Sequence, residues 1–151
     1  MTSFHSNFAL IKRLNTLIEH HVNQAIRDTG LTMSQGALMF RLMSAPEGVL
    51  TLKQAEQIMK LSQPVTAGIV KRLEEKGYVE SFGNEKDKRI KLIRATDLGR
   101  EHLLEAQKIM TGLEQEIFCV LSPDEIQHLE ASLLKIKDTM EDKWRDQHET
   151  D

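Results

Sequence analysis

LKQAEQIMKLSQPVTAGIVKRLEEKGYVESFGNEKDKRIKLIRAT, residues 52–96, decides the fold. Thr51, just before it, stands three residues ahead of Gln54. In such a box the hydroxyl and the amide each satisfy an orphan backbone N–H, so a short helix starts here. Ala55, Ile58 and Met59 form its apolar side. Leu61-Ser62 is a turn. Ser62 is placed to cap a further helix, Pro64 sits in the first turn where no N–H is needed, and Gly77 ends it. Two β-prone runs, 78–82 and 90–94, flank the polar tip Gly83-Asn84-Glu85-Lys86-Asp87-Lys88-Arg89 and predict a hairpin. Two helices joined by a tight turn and followed by a hairpin are the order of a winged helix-turn-helix.

Working outward, Phe8, Ile11, Leu14, Ile18, Val22 and Ala25 recur at spacings of three and four, a helix over about 4–28 that stops at Thr29-Gly30. Thr32 and Gln35 form a second capping box, opening a helix that turns Leu38, Met39, Leu42 and Met43 inward and ends before Pro46-Glu47-Gly48. Downstream, Thr96 is placed to cap a helix carrying Leu103, Ala106, Met110, Leu113, Ile117 and Val120. Ser122-Pro123-Asp124-Glu125 then starts a last helix with Ile126, Leu129, Leu133, Ile136 and Met140, and the polar stretch 142–151 is expected to fray. The expected fold class is mostly α with a small β-hairpin wing. One regulator domain spans 1–151, with a winged-helix lobe at 32–96 flanked by dimerisation helices at 4–28 and 97–145. Heptad-like stripes on the first and last two helices call for a partner surface, hence a homodimer.

The formal net charge of −3 hides an asymmetry. Residues 51–96 hold ten Lys or Arg against six Asp or Glu, and the rest of the chain holds ten against seventeen. A basic middle between acidic ends is expected if only the middle meets phosphate. No apolar run reaches the roughly 20 residues of a membrane span, and Met1-Thr2-Ser3-Phe4-His5 shows no secretion signal. With a single cysteine, Cys119, a reducing cytoplasm is the expected location and no membrane partner is expected.

At about 100° per residue, Thr66, Ile69, Val70 and Leu73 share one side of the fourth helix. Pro64, Val65, Ala67, Gly68, Lys71 and Arg72 lie on or beside the other. That face is small near the helix start and basic further along, which suits a helix lying in the major groove of double-stranded DNA. Gln63 is the candidate for an amide–adenine contact, and Val65 and Ala67 for thymine methyls. Ser62 and the first-turn N–H groups suit a phosphate oxygen. Lys86, Lys88 and Arg89 crowd a loop with nothing apolar to bury, which suits a minor groove. Asp87 either holds Arg89 by a charge-assisted bond or belongs to the turn. Gln35 and Lys53, near the starts of the two preceding helices, complete the candidate DNA contacts. A basic polar helix face is more often plain solvated surface; the basic loop beside it shifts the balance.

Residues 52–100 resemble the multiple-antibiotic-resistance-type (MarR) family of regulators. The matching text is Leu61-Ser62-Gln63-Pro64, then Arg72-Leu73-Glu74-Glu75-Lys76-Gly77-Tyr78-Val79-Glu80, then Asp87-Lys88-Arg89 and Ala95-Thr96-Asp97-Leu98-Gly99-Arg100. The resemblance implies a homodimeric transcription regulator, a repressor by expectation, on a pseudo-palindromic operator. It also implies possible release by a small-molecule effector, often an aromatic anion, bound between the lobe and the dimer helices. The chain departs from the family where a basic residue often stands at 68 (here Gly68), an acid at 71 (Lys71), Arg at 81 (Ser81), Pro at 83 (Gly83) and Leu at 95 (Ala95).

Other chemistry finds little support. His20-His21 point in different directions on a helix, and neither His-x-x-x-His nor Cys-x-x-Cys occurs, so no metal and no cofactor are expected. Cys119, after Ile117-Phe118, reads as a buried structural thiol, and the methionines as core filler. No catalytic triad, phosphate loop or supported carboxylate pair is recognisable, so the chain is not expected to be an enzyme. The competing expectation is a winged-helix protein-interaction module that never meets DNA.

Overall fold

A computed structural model describes residues 6–148. Phe4, the expected start of the first helix, and 149–151 of the tail lie outside the described residues. The chain forms two compact units, Met1–Leu113 and Glu114–Asp151.

In the first unit, helix α1 (Asn7–Ala25) passes into a 3-10 turn (Arg27–Thr29) that ends on Gly30 at φ 73°, a left-handed conformation glycine adopts without strain. Helix α2 (Met33–Ser44) starts with the expected box. Gln35 N donates to Thr32 Oγ1 at 3.3 Å and Thr32 N donates to Gln35 Oε1 at 3.2 Å. Helix α3 (Leu52–Met59) repeats it with Thr51 and Gln54 at 3.1 and 2.8 Å. Helix α4 (Gln63–Glu75) does not follow the pattern. Ser62 occupies the cap position, but its side chain accepts no capping bond. Pro64 removes one of the two N–H groups a cap usually serves, and the Ser62 carbonyl instead accepts from Thr66 N at 3.0 Å and from Thr66 Oγ1 at 3.1 Å.

The hairpin is present one residue later than expected, as β2 (Val79–Gly83) and β3 (Lys91–Ala95). A third strand, β1 (Val49–Thr51), was not expected. It pairs antiparallel with β3, giving the order β1-β3-β2, with Leu50 opposite Ile93. Three residues are too few for a period-2 pattern to register, and only the β3 edge makes Val49–Thr51 a strand.

Ile26, Leu38, Met39, Leu42, Leu73 and Ile93 lie at the centre of the core, all fully buried. Met43 and Ile58, expected to face inward, are exposed at 39% and 41%. Each lies at the edge of its helix's apolar arc. Helix α5 (Asp97–Phe118) leaves the wing through a tight join. Thr96 Oγ1 donates to Gly77 O at 2.6 Å and accepts from Gly99 N at 3.0 Å. A Cβ on Gly99 would stand 2.1 Å from Tyr78 O, so only glycine fits.

In the second unit, Ser122 and Glu125 form the expected box, at 2.8 and 3.3 Å, ahead of helix α6 (Pro123–His148). The expected fraying from 142 is not seen as far as His148, which is still helical. Among residues 114–147 none is buried. Cys119 is exposed, contrary to the expected buried thiol. It sits in the turn after α5, with Sγ 3.1 Å from Glu116 O, where no neighbouring element covers it.

Candidate nucleic-acid interface

The orientation of α4 follows from its own burial. Thr66, Ile69, Val70 and Leu73 are all buried, which locks one side of the helix into the core. The opposite side is therefore presented outward: Ser62, Gln63, Pro64, Val65, Lys71 and Arg72 are exposed, and Ala67 and Gly68 half-buried. No side-chain bond occupies the Ser62 hydroxyl as a cap, so the helix start offers a free hydroxyl beside its first-turn backbone. Gly68 has φ in the ordinary helical range, and a Cβ there would meet only an Arg72 guanidinium nitrogen, at 3.7 Å, which is ordinary contact. The fold of this chain does not require glycine at 68, although glycine inside a helix costs about 1 kcal/mol against alanine.

The end of α4 is tied to the α1–α2 corner. Lys76 Nζ donates to Gly30 O at 2.5 Å and to Gln35 Oε1 at 3.0 Å. This corrects the expectation for Gln35. It is 4% exposed, and its amide oxygen serves both the Thr32 cap and Lys76, so it is not available to DNA. Tyr78, two residues on, donates to Thr29 O at 2.8 Å and stacks on His102 with ring centroids 4.7 Å apart. Burial, with the Glu105 carboxylate adding to it, pushes the Tyr78 phenol above its ordinary value. Lys53, near the start of α3, is exposed.

The wing tip is built by its own side chains. Lys86 N donates to Asn84 Oδ1 at 2.8 Å. Arg89 N and Nε donate to Asp87 Oδ1 at 3.0 and 3.2 Å. Asp87 therefore does both things left open by the sequence: it forms the turn and holds Arg89, whose side chain is 92% exposed. Lys86 and Lys88 are exposed, and no carboxylate among the described residues lies within ion-pair distance of either. Nearer the wing base, Arg94 pairs with Glu80 across the strands and lies 4.8 Å over the Phe82 ring, while at the tip end of β3 Lys91 Nζ stands 3.6 Å from Glu74 Oε1 on α4. These pairs were not legible beforehand, because they depend on the Glu80–Arg94 register and on where β3 passes α4. Among the described residues no group of three His, Cys, Asp or Glu is placed to hold a metal, and no helix is long and apolar enough to cross a membrane.

A helix locked into the core by one face, open along the other and flanked by a basic hairpin defines a winged helix-turn-helix protein of the DNA-binding kind. Residues 29–90 match the model of the MarR family. An uncharacterized HTH-type transcriptional regulator, YdcH of Bacillus subtilis, is 28% identical over 102 residues, 66% of this chain and 69% of its own length. Among solved structures, the MepR–DNA complex of S. aureus shares the fold at a TM-score of 0.79 and 20% identity, covering 89% of this chain and 98% of that one. BpsR of Bordetella bronchiseptica, whose DNA binding is regulated by 6-hydroxynicotinic acid, has a TM-score of 0.79 at 22% identity, covering 91% and 97%. Over residues 29–90 the chain is thus similar to the MarR family, whose members are DNA-binding transcriptional regulators and not enzymes.

Proposed function

We propose that this regulator acts as a homodimer that reads a pseudo-palindromic operator with α4 and the wing, most simply as a repressor in the cytoplasm where the DNA lies. One observation carries the reading. The core buries Thr66, Ile69, Val70 and Leu73 and leaves Gln63, Pro64, Val65, Ala67, Gly68, Lys71 and Arg72 on the outward side, beside Lys86, Lys88 and Arg89. In this reading Gln63, Val65 and Ala67 meet base edges, Ser62 and Lys53 meet phosphates, and Arg89 enters the minor groove.

Two exposed apolar faces support the dimer. Phe8, Ile11, Leu14 and Ile18 on α1 are 80%, 42%, 48% and 38% exposed. On α6, Ile126, Leu133, Ile136 and Met140 are 38–59% exposed at heptad spacing. A two-fold dimer would set two α4 helices roughly 34 Å apart, one turn of DNA. Release by a small-molecule effector is part of the proposal and is supported by the likeness to BpsR.

Selection of bound sequences from a random DNA pool tests this reading. A palindromic consensus with half-sites about one turn apart is expected, and no enrichment with no salt-sensitive gel shift would favour a protein-interaction module instead. Arg89→Ala should weaken the selected duplex about 10-fold. Gln63→Ala should relax base preference more than it lowers affinity for random duplex.

A further inference from the structure

We propose that Glu74 is an intramolecular competitor for DNA phosphate at Lys91, and that it holds down sequence-independent binding; the inference rests on the DNA-binding reading above. Lys88 and Lys91 line one open groove on the wing together with Ser81, Phe82 and Gly83. Two ammonium groups on an open groove beside a helix that faces DNA make a seat for a phosphate oxygen. Lys88 meets no carboxylate among the described residues, but Lys91 does: Glu74, from the last turns of α4, stands 3.6 Å from it.

The geometry of that pair is the second part of the argument. At 3.6 Å it is longer than the about 2.7–2.9 Å of a close charge-assisted hydrogen bond. Both side chains remain open to water, Lys91 at 52% and Glu74 at 30%. Exposed ion pairs of this kind are weak and exchangeable. Arg94 is held differently, paired with Glu80 and laid over the Phe82 ring, so it has two contacts to give up. Lys91 is thus the wing cation that a phosphate can take from its acid, and Glu74 is the group that must be displaced. On random DNA the exchange yields little, because a carboxylate partner is traded for a phosphate. On the right operator, base contacts made by the start of α4 seat the wing and drive the exchange. Glu74 then widens the gap between specific and non-specific affinity without touching a base.

The test uses the full chain as wild type, Glu74→Gln, Lys91→Gln, the double variant, and Glu75→Gln as a control for charge alone, since Glu75 is exposed on the same helix. Binding is read by fluorescence anisotropy over a salt series, on a random-sequence duplex and on a duplex enriched by selection. Glu74→Gln should tighten the random duplex about 3- to 10-fold near 0.1 M salt and steepen the log–log salt slope by about 0.9, one more phosphate contact. The enriched duplex should gain less. Lys91→Gln should erase that gain in the double variant, and Glu75→Gln should not reproduce it. The inference is overturned if Glu74→Gln leaves the random-duplex slope unchanged while wild type binds the enriched duplex, if the gain survives in the double variant, or if Glu75→Gln matches it. If wild type binds no duplex, the DNA-binding reading itself fails.

Discussion

Gly68 and Tyr78 show how single residues divide between fold and function. Gly68 weakens α4 without relieving any clash, since a Cβ there has room. In the proposed reading its use lies outside the lobe, where a missing side chain lets the backbone approach the base edges. Gly68→Ala is expected to raise stability by about 0.5–1 kcal/mol and to weaken binding to the enriched duplex. Thermal melts and anisotropy on the same samples check this, and tighter melting with unchanged binding would remove Gly68 from recognition. Tyr78 serves the fold. Its hydroxyl holds Thr29 O at 2.8 Å, and its phenol is raised above the ordinary 10.0 by burial and by Glu105. Because the native state holds this proton more tightly than the unfolded chain, Tyr78 contributes stability that is complete below that ordinary value. It is lost as pH rises through the raised one. Tyr78→Phe should therefore be less stable at roughly pH 8, with the difference narrowing at roughly pH 11. A constant difference in Tm across that range would contradict the linkage.

At the scale of elements, the capping boxes were legible because they are local. Thr32 with Gln35, Thr51 with Gln54 and Ser122 with Glu125 each lie within one turn, and all three form. Thr51→Ala should destabilise the lobe by about 1 kcal/mol, measured by urea unfolding, and should lower DNA affinity less than Arg89→Ala does. Ser62 departs from this local rule, because Pro64 two residues later removes one of the N–H groups a side-chain cap would serve. The wing tip was legible as basic and polar, but the strand β1 and the pairs Glu74–Lys91 and Glu80–Arg94 were not. Each depends on residues far apart in sequence meeting at a register that no local pattern sets.

For the whole molecule, the second unit raises the question of what stabilises it. A unit made of the end of α5 and of α6, with no buried residue among 114–147, gains little from its own core. Burial of apolar surface is the main favourable term in folding, and in the proposed dimer the exposed Ile126, Leu133, Ile136 and Met140 would meet a second surface. Ile136→Glu is expected to shift the chain from dimer to monomer in sedimentation velocity and to cost DNA affinity even though position 136 lies outside the lobe. The melting temperature of wild type should rise with protein concentration, as it does when folding and association are linked. A monomeric wild type at micromolar concentration would contradict the dimer.

The sequence by itself determined the order of the six helices and the hairpin, the side of α4 that enters the core and the basic character of the wing. Helix periodicity, capping and loop charge are properties of neighbours in the chain, and they hold before the chain folds. Only the tertiary structure decided that Gln35 is closed off under Lys76, that Gly99 must be glycine against Tyr78 O, that Cys119 is exposed, and which wing cations already have an acid beside them. Those outcomes turn on distances of a few ångströms between residues tens of positions apart, and packing sets such distances where composition and spacing do not.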